Sequence, residues 1–297
     1  MRSVERSGTF QLGDLRVRRL GYGAMHLSGA GIFGPPKDRD AALAVLREAV
    51  AAGVNHIDTS DYYGPHITNQ LIREALHPYP DDLVIVTKIG ARRGNDGSVL
   101  AASSPDELIR AVHDNLRNLD VDVLAVVNLR NMFDDAARAG QMIDAGLTVL
   151  ADLQRQGLVR HIGLSNVTPA QIAAGRRICN IVCVQNLYNL AHRSDDELID
   201  RLAADRIAYV PFFPLGGLGT LQSSTLSHVA RMFNAPTAQV ALAWLLRRSP
   251  NMLLIPGTSS VTHLRENIAA AEVSLPDTAF EALGGGASIA LNSSEYD

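Results

Sequence analysis

Asp38-Arg39-Asp40-Ala41-Ala42-Leu43-Ala44-Val45-Leu46-Arg47-Glu48-Ala49-Val50-Ala51-Ala52-Gly53-Val54-Asn55-His56-Ile57-Asp58 contains one full structural unit. From Asp38 to Ala52, Leu43, Leu46, Ala49 and Val50 recur at helical spacing and share one face. Gly53 stops that helix. Val54 to Asp58 then reads as a short strand of mostly apolar residues ending in a carboxylate.

The unit recurs along the chain. Further apolar runs lie at Leu83–Lys88, Val121–Leu129, Val159–Leu164, Ile181–Val184, Ile207–Phe212 and Met252–Ile255, with a short first strand at Leu20–Gly23. Runs that are apolar without alternation suit strands covered on both faces, as in parallel sheets. Helical patterns fill the gaps at Thr68–Leu76, from Ser104-Pro105, over Leu147–Gln156, from Thr168-Pro169, from Ser194-Asp195 and from Ala235-Pro236-Thr237. Strict alternation implies right-handed crossovers between parallel strands. Eight such units within 297 residues predict an α/β fold, a (β/α)8 TIM barrel filling one domain, 1–297. Thr9 to Arg18 predicts an N-terminal β-hairpin, with no antiparallel pairing expected beyond it. The competing fold is an open doubly wound sheet. Its G-x-G-x-x-G signature is incomplete here, because Gly21-Tyr22-Gly23-Ala24-Met25-His26 lacks the third glycine.

Composition narrows the function classes. Hydrophobic residues make up 46%, charged residues 20%, and the net charge is −4, which argues against a nucleic-acid binder. No apolar run is long enough to span a membrane, and Met1 to Leu12 has no signal-like apolar core. The two cysteines, Cys179 and Cys183, read as reduced core thiols, and a cytoplasmic location is expected. The nine histidines form no ligand spacing, so no metal is expected. His56 reads as a buried, hydrogen-bonded core residue.

Functional groups in such barrels project from the C-terminal ends of the strands. The second strand ends at Asp58, with Tyr62 and Tyr63 just beyond, and the third ends at Lys88. A lysine ammonium beside a phenol favours the phenolate, and a carboxylate keeps that lysine charged. The trio Asp58, Tyr63 and Lys88 is therefore a tunable proton donor for a carbonyl oxygen. Ser165, Asn166 and Gln185 offer small polar groups after the fifth and sixth strands. Phe212, Pro214, Leu215 and Gly216, continuing to Gly219, join an aromatic to a glycine-rich turn, suited to a flat ring and a phosphate. Gly257, Thr258, Ser259 and Ser260 lead into a helix after the eighth strand, where phosphate sites recur. No phosphate-transfer P-loop motif is present.

These segments resemble the aldo-keto reductases over almost the whole chain. The resemblance rests on Gly53 through Gly64, Thr87-Lys88, Gly163 through Asn166, Gln185 through Asn189, Pro214-Leu215-Gly216, and Ile255-Pro256-Gly257 running to Glu266-Asn267. It implies an NADPH-dependent (NADP) oxidoreductase that reduces a small-molecule carbonyl, with Tyr63 as proton donor tuned by Asp58 and Lys88. It implies that Ser165, Asn166 and Gln185 hold the nicotinamide carboxamide and that Phe212 stacks on its ring. Pro214, Leu215 and Gly216 would follow the pyrophosphate, and Gly257 to Ser260, Arg265 and Asn267 the adenosine end. Gly23, Ala24 and Met25 complete the expected cofactor wall. NADPH is favoured over NADH because Ser259, Ser260, His263 and Arg265 cluster at a helix start.

One departure stands out. The histidine that usually ends the fourth strand is missing, and Asn128 or Arg130 takes its place. Neither relays a proton as imidazole does. A catalytically silent nucleotide-binding regulatory subunit is the alternative reading. Segments such as Gly34-Pro35-Pro36 and Ile89 to Gly94 resemble bacterial members that reduce pyridoxal. Tyr22, His26, Tyr62, His66, Arg92 and Arg93 then form the expected substrate rim, because Gly284 to Asp297 is too short for a long lid.

Overall fold

The predicted runs assemble side by side. The computed structural model describes residues 3–132, 143–216, 220–285 and 290–292. The central sheet contains β3 (Tyr22–Gly23), β4 (His56–Asp58), β5 (Val84–Ile89), β8 (Leu124–Arg130), β9 (Val159–Ser165), β10 (Ile181–Leu187) and β11 (Ala208–Phe212). They run in the order β11-β10-β9-β8-β5-β4-β3, every pair parallel. Met252 to Ile255 closes the ring as the eighth member. Leu253 N donates to Tyr209 O at 2.9 Å on one side, and Leu254 N to Arg19 O and Gly21 N to Leu254 O, each at 2.7 Å, on the other. The sheet is therefore a closed (β/α)8 barrel.

The hairpin forms as expected from β1 (Thr9–Leu12) and β2 (Leu15–Arg18), paired antiparallel. Two further antiparallel ribbons correct the expectation that it would be alone. They are β6 (Ala91–Arg93) with β7 (Val99–Ala101), and β12 (Thr220–Gln222) with β13 (Ala290–Asn292). Both lie in segments outside the barrel sheet. The fourth strand begins at Leu124, not Val121, because Asp120 adopts φ 58° to end the preceding helix and Val121 N still donates to Leu116 O. A helix at Ser224–Met232 was not evident from the sequence. Among the described residues no helix is long and apolar enough to cross a membrane.

Helix ends follow local chemistry. Asp38 caps Arg39–Ala51 by accepting from Ala41 N at 2.9 Å. Thr168 and Gln171 form a reciprocal capping box at the start of Pro169–Gly175.

Strand parity decides what faces the barrel axis. Val84 and Val86, Val126, Cys183, Ala208 and Val210, and Leu253 and Ile255 form one buried interior cluster, joined by Leu12 and Val17 of the hairpin. Leu20, Tyr22, Ile57, Val127, Ile162 and Val184 belong to a separate cluster packed toward the helices. The hairpin thus packs against the barrel interior at the N-terminal ends of the strands. Following the inward parity to the C-terminal ends leads to Asp58, Lys88, Arg130, Gln185 and Phe212.

Closure depends on backbone contact at Gly23. A Cβ there would lie 2.5 Å from Ile255 O. Gly23→Ala is expected to wedge the first and eighth strands apart and cost about 1–3 kcal/mol, as overpacking does. Urea unfolding checks this, and an unchanged midpoint would contradict it.

Candidate active site

A cavity of about 320 Å³ opens at the C-terminal ends of the strands. Its wall includes Gly23, Met25, His26, Asp58, Tyr63, Lys88, Arg130, Ser165 and Gln185. Phe212, Phe213, Pro214, Leu215, Ile255, Pro256 and Gly257 complete it.

The polar layer sits directly above the apolar interior. Lys88 Nζ donates to Asp58 Oδ1 at 2.5 Å, to Thr59 O at 2.9 Å and to Tyr63 Oη at 3.3 Å. Gln185 Nε2 donates to the other Asp58 oxygen at 3.1 Å. Asp58 and Lys88 are only 3% and 4% exposed, so their pairing is what makes either charge tolerable. Burial raises the Asp58 carboxyl above its ordinary value, and Lys88 pulls it back. The Tyr63 phenol is also pushed well up, first by burial and then by the Asp58 charge, while Arg130 opposes the rise. This corrects the expectation of a phenolate favoured by Lys88: burial wins, and Tyr63 holds its proton.

Tyr63 stands on the loop after β4, and a polar network fixes that loop. His66 adopts φ 65° and its backbone N–H donates to Asp61 O at 2.7 Å. The Asp61 carboxylate is hydrogen-bonded by Asn69 Nδ2 at 3.0 Å, Asn118 Nδ2 at 2.9 Å and the His66 ring at 2.6 Å. Asn69 also donates to Asn115 Oδ1 at 2.9 Å, which accepts from Thr87 Oγ1 at 2.5 Å. These asparagines were missed. Asn115 had a readable signal, since it falls on the apolar stripe Leu108, Val112, Leu119 and is wholly buried.

Residues 19–285 match the Aldo/keto reductase family along most of the chain. The chain belongs to the aldo/keto reductase family. It is 67% identical to pyridoxine 4-dehydrogenase of Escherichia coli K12 over 280 residues, covering 94% of this chain and 98% of that one. It is 37% identical to an uncharacterized oxidoreductase of Schizosaccharomyces pombe over 281 residues, 94% and 90% of the two chains. A thermostable aldo-keto reductase solved with the inhibitor epalrestat is similar at a TM-score of 0.78 and 28% identity, covering 92% and 96%. An aldo-keto reductase of Klebsiella pneumoniae solved with NADPH shares the fold at a TM-score of 0.77 and 23% identity, covering 97% and 98%.

In this aldo/keto reductase the fourth strand places Asn128 and Arg130 differently. Arg130 lines the cavity and donates from Nη1 to Tyr62 Oη at 2.6 Å. Asn128 is one rung lower and fully buried; it donates to Gln185 Oε1 at 2.9 Å and accepts from Cys183 Sγ at 3.2 Å. It therefore braces Gln185 against Asp58 and does not reach the cavity. Gly163, its partner on β9, leaves the room that the Asn128 side chain fills.

Other expected members of the rim of this aldo/keto reductase are placed elsewhere. Tyr22 faces the helices, fully buried, and donates to Thr258 O at 2.6 Å. His66, Arg92, Arg93 and Tyr62 border a second cavity of about 210 Å³. Arg93 is tied to the carbonyls of Gly31, Ile32 and Gly97, and Arg92 lies 3.6 Å from Glu107. His26 remains on the main cavity, where burial lowers its pKa.

The expected cofactor set divides in the same way. Gly23, Met25, Ser165, Gln185, Phe212, Pro214, Leu215 and Gly257 line the cavity, while Ala24, Asn166, Gly216, Thr258, Ser259, Ser260, Arg265 and Asn267 do not. Asn166 donates from Nδ2 to Asn131 O at 2.7 Å. Ser260 caps the helix Val261–Ala269, and Arg265 reaches Glu48 at 2.8 Å. Gly216 turns the chain at φ 100°, and Gly217 to Gly219 lie outside the described residues. Phe213, Ile255 and Pro256 were not foreseen as wall residues.

Neither cysteine is activated. Burial pushes the Cys183 thiol up to about 12 and Cys179 up to about 11. His56 is buried as expected, but its Nδ1 finds no hydrogen-bond partner, and burial draws its pKa down to about 4.

Proposed function

We propose that this aldo/keto reductase reduces pyridoxal to pyridoxine with NADPH, in the cytoplasm, with Tyr63 as the proton donor. The observation that carries this reading is the 67% identity to pyridoxine 4-dehydrogenase over nearly the full length of both chains. The cavity supports it. Its buried carboxylate, Asp58, is neutralised by Lys88, so no bare anion opposes a phosphate-bearing cofactor. Phe212 and the turn at Leu215 and Gly216 suit a flat ring followed by phosphate, and Ser165 offers a hydroxyl to a carboxamide.

NADPH, when bound, supplies a hydride to the aldehyde carbon. Tyr63 holds its proton until negative charge develops on the carbonyl oxygen and then releases it there, completing the alcohol. Lys88, donating to Tyr63 Oη, offsets the charge left on the phenolic oxygen, and Asp58 keeps Lys88 in place. Gln185 donates to Asp58, and Asn128 in turn donates to Gln185.

Comparing kcat/KM for pyridoxal, benzaldehyde and a sugar aldehyde with NADPH tests the substrate. Pyridoxal is expected to lead by at least about tenfold, roughly 1.4 kcal/mol of transition-state discrimination. A smaller margin removes the pyridoxal assignment. Absence of turnover with every aldehyde would favour the silent nucleotide-binding reading.

A further inference from the structure

The charges around the main cavity do not cancel. Asp58 and Lys88 form one closed pair, held at 2.5 Å. Tyr63 stays protonated, and desolvation at the cavity wall disfavours the His26 imidazole as a cation. That leaves the Arg130 guanidinium. It is half-buried, and its one hydrogen bond among the described residues is to the neutral Tyr62 hydroxyl, over whose ring it also lies at 5.7 Å. Its Nε is buried without a partner, and among the described residues no carboxylate pairs with it. Asp58, the acid on which the Arg130 charge acts, is already closed on Lys88, and Asp61 and Glu107 are committed elsewhere, Asp61 to Asn69, Asn118 and His66, and Glu107 toward Arg92. A half-buried cation without a counter-charge is costly unless the ligand supplies one.

Arg130 also stands close to the reacting position. Tyr62 and Tyr63 pack edge to face with ring centroids 4.9 Å apart, so the group that Arg130 holds touches the proton donor. A carbonyl oxygen on Tyr63 would place the adjoining substituent, not a distant one, beside the guanidinium. The wall around it is apolar and aromatic, with Met25, Phe213 and Leu215, which favours a flat ring.

We propose that Arg130 is a specificity-determining residue that selects aromatic aldehydes carrying an ionised oxygen ortho to the carbonyl. This rests on the carbonyl-reductase reading above. The ligand class is an ortho-phenolate aldehyde, whose oxygen accepts from the guanidinium in a charge-assisted hydrogen bond. An ortho phenolate makes its carbonyl less electrophilic, so any preference for it must come from the site.

The test uses salicylaldehyde and 3-hydroxybenzaldehyde, which differ only in the position of the oxygen, at a pH where both phenols are ionised. Saturating NADPH is used with the unaltered protein, Arg130→Met and Arg130→Lys. The unaltered protein is expected to prefer the ortho isomer at least tenfold in kcat/KM. Arg130→Met is expected to reduce that ratio to about twofold or less, and Arg130→Lys to restore part of it. On the unaltered protein alone, salicylaldehyde is expected to gain on 2-methoxybenzaldehyde, which cannot ionise, as pH rises through the phenol's titration. The inference is overturned if the unaltered protein shows no ortho preference, or if Arg130→Met slows both isomers equally. In either case turnover of the aldehydes leaves the reductase reading standing. Loss of turnover with every aldehyde by the unaltered protein overturns both.

Discussion

Tyr63→Phe is expected to lower kcat for pyridoxal by roughly 10²–10⁴-fold, the range for loss of a positioned general acid. The substitution removes one oxygen from a buried ring. Lys88 keeps its bonds to Asp58 and Thr59 O, so the polar layer retains its anchor. Binding of NADPH, followed by fluorescence, is therefore expected to persist while turnover collapses. Retention of most of the activity would show that another group delivers the proton. Arg130 cannot fill that role, because its guanidinium does not give up a proton at working pH.

Lys88→Ala is expected to be the most destabilising change in the site. It leaves Asp58 buried at 3% exposure with only Gln185 as a side-chain partner. Breaking a buried pair in this way costs about 3–5 kcal/mol, because the remaining charge is uncompensated. The deficit has a defined pH dependence. Burial already raises the Asp58 carboxyl, and Lys88 is the main influence lowering it. Removing Lys88 raises it further. A carboxyl with a raised folded-state value contributes stability in acid and loses it as pH climbs through that value. The gap between variant and unaltered protein is thus largest where Asp58 is ionised and shrinks as pH falls through the raised value. Urea midpoints across a pH series measure it. A gap that does not depend on pH would mean that Lys88 acts through packing alone.

Much of this arrangement was legible because strand parity is a local property. Asp58, Lys88, Arg130, Gln185 and Phe212 each lie at or near the C-terminal end of an apolar strand on its inward parity, and all five meet on one cavity. The same rule, applied to the first strand, would have excluded Tyr22. It alternates with Gly21 and Gly23, which approach His56 and Ile255, and so it faces the helices. Asn128 shares the parity of Arg130 but sits one rung below, a difference of register that depends on its pairing with Lys88 and Gly163.

What could not be read depended on distant partners. Arg265 meets Glu48, 217 positions away, and Arg93 is held by backbone carbonyls of a loop about 60 positions earlier. Neither pairing leaves a trace in local spacing. The rise in the Tyr63 pKa was also hidden, because it follows from burial rather than from the lysine beside it.

The central claim is that the cavity at the C-terminal rim of the barrel reduces an aldehyde by hydride transfer. Its most direct test is to incubate the purified protein with pyridoxal and NADPH carrying deuterium at both positions of the nicotinamide C4. Mass spectrometry of the alcohol product is expected to show pyridoxine one deuterium heavier, formed in step with NADPH consumption. Pyridoxine without the label, or NADPH consumed with no alcohol formed, would contradict the account.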